Sequence, residues 1–393
     1  MASIKLKGDT SGEVTIQAPA VAGTTTLNLP ATSSTLATQN ALGVRNLIIN
    51  GDMNIAQRGT SSTGVTTSGY YTVDRWHTGL SSAGTWTQTQ STDVPTGQGF
   101  ANSHKLTCTT ANSSLAGGSF LAIQTLFEGQ NLQHLKKGTS SAESITLSFW
   151  IKSNKTGTYI AEIYDNDNTR QISKSYTINA ADTWEKKTIT YEGDTTGTLD
   201  NDNAHSLDIT LWIAAGTLFT TGTNEEWKSS SNANRAAGLT VNLADSTSNY
   251  INITGVQLEV GDTATPFEHR PYDMELARCQ RYFQIFKGSD PVSNNYTRMG
   301  WAYINTSGSN ALCYIPNKVS MRIPPSITAS GSFTFYNGSF YSITTGNITV
   351  DGATTKDITG LNITGSGFPS AGTFVDLIIN ASSTTTFSIS AEL

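Results

Sequence analysis

Cysteine, charge and histidine are all scarce in this chain, and each scarcity removes a class of function. Its 393 residues include 3 Cys, at positions 108, 279 and 313. An odd number with no C-x-x-C pair fits neither a disulfide framework nor a zinc site, so these read as reduced thiols made in a cytoplasm. Charged residues make up 14%, and Lys plus Arg total 24 against 30 Asp plus Glu, a net charge of −6. That leaves no basic footprint for phosphate backbones or anionic lipid, so neither nucleic acid nor a membrane surface is an expected partner. No window approaches the roughly 18 consecutive apolar residues of a membrane span, and the opening MASIKLKGDTSGEV lacks the apolar core of a signal peptide. The 5 histidines, His77, His104, His134, His205 and His269, fall in no G-x-S-x-G, H-E-x-x-H or paired metal spacing. No Gly-rich phosphate loop opens a helix either. The sequence nominates no catalytic residue, no metal site and no cofactor, and the chain reads as a non-enzyme.

What is present is β-forming. Ser plus Thr supply roughly a quarter of the chain, with 35 Gly on top, while 37% hydrophobic residues suffice for cores. Residues 1–43 stand apart: two short β-patterned pieces, Val14–Gln17 and Thr26–Leu29, are closed by Pro19 and Pro30, and no aromatic appears. So little apolar bulk does not offset the ordering entropy alone, so the segment is expected to be held by other copies or a docking partner, or to pair onto the following domain. From 44 to 271, period-two alternation recurs in SITLSFWIK, GTYIAEIY, KKTITY, SLDITLWIA and YINITGVQLEV, which implies two packed antiparallel sheets. In the first of these, Ile145, Leu147, Phe149 and Ile151 share a core face and the opposite face is expected to be wet. Residues 272–287 read as one connecting helix capped by Asp273. Its stripe of Leu276, Cys279, Phe283 and Phe286 packs either on a neighbouring domain or at a seam between copies. Residues 288–393 alternate again and suit a second β-sandwich. The expected class is all-β.

Carboxylates offer the remaining route to chemistry, because a glycosidase needs only two on facing strands. Glu162, Asp165, Asp167, Asp194, Asp200, Asp202, Asp208 and Glu259 are available, yet the DNDN and LDNDN runs are explained by Asx turns. Either run also suits a Ca²⁺, but neither continues with the Gly and Glu of an EF loop. Among the aromatics, Trp150 and Trp212 lie inside long strands and belong to cores. Trp227 in TNEEWKSSSN, and Tyr336, Asn337 and Tyr341 in YNGSFY, are flanked by turn residues and are the candidates for stacking on sugar rings. The alternative for the two tyrosines is packing in the sandwich core.

Longer motifs carry a resemblance. The opening IKLKGDTSGEVTIQAPAVAGTTTLNLPATSSTLAT resembles the N-terminal segment of bacteriophage tail-fibre and virion-fibre proteins, especially of marine phages. NLIINGDMNIAQRG, YTVDRWH, SFWIKSN, TWEKKTITYEGD and ITGVQLEVGDTATPFEHRPYDMELARCQRYF are similar to the jelly-roll module of phage minor structural and fibre proteins. The resemblance implies a homotrimer assembled in the host cytoplasm and carried on the virion. Residues 1–43 would attach to a tail hub, baseplate or capsid, and residues 288–393 would form a receptor-binding tip for host cell-surface glycan. It carries no catalytic residue. Two rivals remain: a purely structural capsid fibre or cement protein, and a glycan-depolymerising tailspike with two facing carboxylates in a groove.

Overall fold

The computed structural model describes residues 3–7, 11–17, 45–288, 296–380 and 384–393. The chain divides into two compact units, Met1–Gly43 and Val44–Leu393. In the first, β1 (Ser3–Lys7) pairs antiparallel with β2 (Glu13–Gln17), Ile4 opposite Ile16. The strand expected at Thr26–Leu29 lies outside the described residues, as does most of the segment expected to attach to other virion proteins.

The second unit is all-β, as the alternation implies. Its strands run β3 (Ser61–Val65), β4 (Gly69–Tyr70), β5 (His77–Ser81), β6 (Thr85–Ser91), β7 (Ser103–Thr110), β8 (Phe120–Glu128), β9 (Ile145–Ser153), β10 (Gly157–Asp165), β11 (Arg170–Ile178) and β12 (Glu185–Tyr191). There follow β13 (His205–Ala215), the single-turn helices α1 (Thr217–Thr220) and α2 (Asn232–Arg235) on either side of β14 (Lys228–Ser229), and β15 (Tyr250–Val260). One sheet has the order β14-β11-β10-β13-β8-β5-β4 and the other β12-β9-β15-β7-β6-β3. Between them lies one apolar core, in which Ile145, Leu147, Phe149 and Ile151 of β9 meet Tyr159, Ile163 and Leu211 of the facing sheet. The opposite face of β9 is largely covered and not wet throughout, and Trp150, expected in a core, lies half-buried on that face instead. Thr146 and Ser148 are buried there, because the segment after β15 folds back and Thr146 Oγ1 donates to Gly261 O at 2.8 Å. On the outside of the other sheet, Phe219 of α1 and Ala236 cover Trp212 and Ile160.

The helix expected over 272–287 ends early. It is α3 (Tyr272–Gln280), its N-cap is Pro271, and Asp273 lies in its first turn without a capping bond. Phe283 and Phe286 instead belong to the strand β16 (Phe283–Lys287), which pairs with β25 (Thr386–Ser390), Phe286 opposite Phe387. A ladder partner about a hundred residues away overrides the helical spacing. Cys279 and Phe283 are buried within the chain, while Leu276 and Phe286 are half-buried.

A second core follows, built from β16 and β25 with β17 (Tyr296–Ile304), β18 (Asn310–Pro316), β19 (Ser326–Ser330), β20 (Phe333–Tyr336), β21 (Phe340–Ile343), β22 (Ile348–Val350), β23 (Ile358–Thr364) and β24 (Phe374–Asn380). A three-stranded sheet, β16-β25-β19, contributes Phe387 and Ile389 to it. The facing seven-stranded sheet, β21-β20-β24-β17-β18-β23-β22, contributes Phe333, Phe335, Leu377 and Ile379.

Candidate functional site

The longest sequence motifs converge on the junction between the two cores, and they do structural work there. Asn46 Oδ1 accepts from the Ile48 and Leu258 amides, and Asn50 Nδ2 donates to Ile55 O and Asp74 O. Gly51 is required by a close approach, since a Cβ there would stand 2.1 Å from Val256 O. Buried Glu275 of α3 accepts from the Asn50 amide and from Arg270, which itself donates to Ile48 O. Arg281 grips Glu128 through two bonds of 2.8 and 2.7 Å. Burial works to raise the Glu128 carboxyl, but the Arg281 and Tyr282 hydrogen bonds outweigh it and hold it below the usual range. Arg75, at φ 70° and buried, lies 3.6 Å from the Tyr282 ring centroid and donates to Glu392. These groups spend most of their hydrogen-bonding capacity on one another, although the buried Nε atoms of Arg75 and Arg270 have no hydrogen-bond partner among the described residues.

The acidic turn is likewise internally satisfied. Lys137 Nζ binds Asp165, reaches Asp194 at 3.1 Å and donates to Thr196 O and Gly197 O, so an ammonium group sits among the oxygens that a cation would need. Burial, against the pull of Arg235, pushes Glu162 up to about 7. Its carboxylate is nevertheless fully buried and already accepts from Arg235 at 2.9 Å and from Trp212 Nε1 at 2.8 Å. Among the described residues no group of three His, Cys, Asp or Glu is placed to hold a metal.

The unsatisfied surface lies on the second sandwich. In β17, Ala302 and Ile304 enter the core, so Trp301 and Tyr303 face outward; in β24, Val375 and Leu377 enter and Phe374 and Asp376 face outward. The ladder sets Trp301 opposite Asp376, Asp376 opposite Tyr336 and Tyr336 opposite Phe340, a straight row over four strands. Trp301 is 75% exposed, Phe374 72% and Phe340 62%, where large apolar rings are normally covered. Tyr314 of β18 extends the face, its neighbours Cys313 and Ile315 being buried. The rings form two groups. Tyr296, Tyr336 and Phe340 cluster with centroids 4.8 to 6.3 Å apart, and Tyr303 meets Phe374 at 5.2 Å. Between them Arg298 Nε donates to Asp376 Oδ2 at 2.7 Å, and the exposed guanidinium, 5.7 Å from the Tyr296 ring centroid, has no other hydrogen bond among the described residues.

Of the residues nominated from the sequence, Tyr336 lies in this face and Asn337 is exposed at the tip of its hairpin. Tyr341 turns the other way, opposite buried Phe335, and packs half-buried on the second core. Trp227 is held against the first core, its Nε1 donating to Glu192 O at 2.7 Å. The four residues therefore do not form one site. Trp301, Phe374 and the Arg298–Asp376 pair were missed, although WAYI and FVDL carry the signal of bulky rings on the phase opposite the core residues, and Phe340 lay within the nominated YNGSFY without being named.

Fold and surface together define an all-β chain with two sandwich cores and one exposed aromatic sheet face. No family model matches the sequence, and no curated protein matches it. Among solved structures, the chain is similar to the enzymatically active domain of tailspike protein 4 of bacteriophage CBA120, at 14% identity over 55% of this chain and 21% of that one, with a TM-score of 0.28. It is also similar to a family 11 carbohydrate-binding module of Clostridium thermocellum, at 13% identity over 51% of this chain and 98% of that one, TM-score 0.25. A xylan-binding domain of Paenibacillus barcinonensis matches at 13% identity over 52% and 94%, TM-score 0.24. Likeness this distant carries no function across to this chain.

Proposed function

We propose that the protein is a homotrimeric phage virion fibre that adheres to host-surface glycan through the outer face of its C-terminal sheet, without catalysis. Residues 1–43 would attach it to the particle. The observation that carries the glycan reading is the row Trp301–Asp376–Tyr336–Phe340, in which aromatic rings flank the hydrogen-bonded Arg298–Asp376 pair. Sugars present both apolar C–H faces and hydroxyls, and this surface offers a partner for each. The fibre reading rests on the motif resemblance and on a junction whose charged groups are consumed in holding two sandwiches together.

The test is adsorption to a glycan array and to host cells by the full chain and by a Trp301→Ala, Phe374→Ala double variant with an unchanged melting curve. Loss of adsorption by the folded variant is expected. Equal adsorption by both sinks the assignment of the face, and absence of the chain from purified virions sinks the fibre reading.

A further inference from the structure

We infer that the aromatic face binds one extended, neutral, β-linked polysaccharide chain, laid across the strands with about one sugar ring per strand. The inference rests on the glycan reading above and specifies its ligand. Its basis is the register. Phe340, Tyr336, Asp376 and Trp301 are direct cross-strand partners, with Tyr314 on the next strand, so the row runs perpendicular to β21, β20, β24, β17 and β18. Strand spacing makes it about 19 Å long. One strand spacing is close to the advance of one pyranose unit in an extended β-linked chain, so successive sugars meet successive side chains. Sheet twist rotates those positions steadily in one sense, which glycosidic torsions can follow.

Two further features narrow the ligand. The rings stand out from a sheet surface, with Trp301 and Phe340 both more than half exposed, so the row suits the interior of a chain and not its terminus. Arg298 is matched by Asp376, giving the centre of the row a donor and an acceptor with no net charge, as a pair of hydroxyls requires. A net charge of −6 on the whole chain further disfavours polyanions.

The experiment is calorimetric titration of the full chain with β-1,4-linked glucose, mannose and xylose oligomers of two to six units, with maltohexaose as the curved α-linked control and polygalacturonate as the charged one. Affinity for one β-linked series should climb with each added unit to about five and then level, matching the length of the row. Trp301→Ala and Tyr336→Ala, two strands apart, should each lower hexamer affinity about tenfold while melting curves stay put. A disaccharide bound as tightly as the hexamer, still dependent on Trp301, overturns the chain reading and leaves glycan binding standing. Salt-sensitive binding of polygalacturonate alone overturns neutrality. If a folded protein binds none of the oligomers the inference fails; if Trp301→Ala then also lowers the mass by light scattering, the face is a contact between copies and the glycan reading falls with it.

Discussion

Arg58 donates to Glu392 at 3.0 Å across 334 positions of sequence, and the same carboxylate receives Arg75. One acidic side chain thus closes the second sandwich onto two cations of the first. Arg75 is 2% exposed at its side chain and Glu392 9%. Removing the carboxylate strands a buried guanidinium, so Glu392→Ala should cost about 3 kcal/mol in urea unfolding, and Glu392→Gln less. A loss under about 1 kcal/mol would show that water reaches the arginines freely.

Phe283 is the apolar counterpart of that clasp. It is buried on β16 with the Arg58 guanidinium 3.6 Å from its ring centroid. Phe283→Ala should cost about 3–5 kcal/mol, by cavity formation and loss of the stacked cation. An unchanged melting temperature would contradict the burial.

Asp74 provides a pH signature. Burial raises its carboxyl to about 7, outweighing Arg58 at 3.5 Å and the Gln57 hydrogen bonds. The folded value exceeds the unfolded one, so the folded state holds the proton more tightly. The linked stability is complete below about pH 4 and is lost as the pH rises through 7. Measured against Asp74→Asn, the wild type should therefore lose relative stability between about pH 4 and 7 and change little above. Relative stability that rises over that range would refute the assignment.

The aromatic face should be nearly silent in folding. Trp301→Ala and Phe374→Ala remove mostly exposed rings, so each should shift unfolding free energy by no more than about 0.5 kcal/mol. A loss of about 2 kcal/mol or more in the oligomeric protein would mean that these rings are covered by another copy.

Much of the strand content was legible, because alternation records which phase meets the core, and β9, β10, β13 and β15 lie where their patterns lie. Short or polar strands such as β4, β14 and β19 were not, since their positions depend on neighbours brought from afar. The same cause hid the end of α3: FQIFK has a helical stripe in isolation and becomes a strand only beside TFSIS. Within the site, Tyr336 was readable from its turn and Tyr341 was not separable from it until the hairpin register set them on opposite faces. Trp301 was passed over because aromatics within strands usually fill cores.

The motif residues Asn46, Asn50, Glu275 and Arg281 serve the junction, whereas Trp301, Phe340 and Phe374 on the outer face of the second sandwich are mostly exposed. Heritable change can therefore accumulate on that sheet, ring for ring and charge for charge, without passing through an unfolded intermediate genotype. A lineage keeping the junction intact can retarget its outer face by single substitutions, and the variable positions among its descendants should map to that row first.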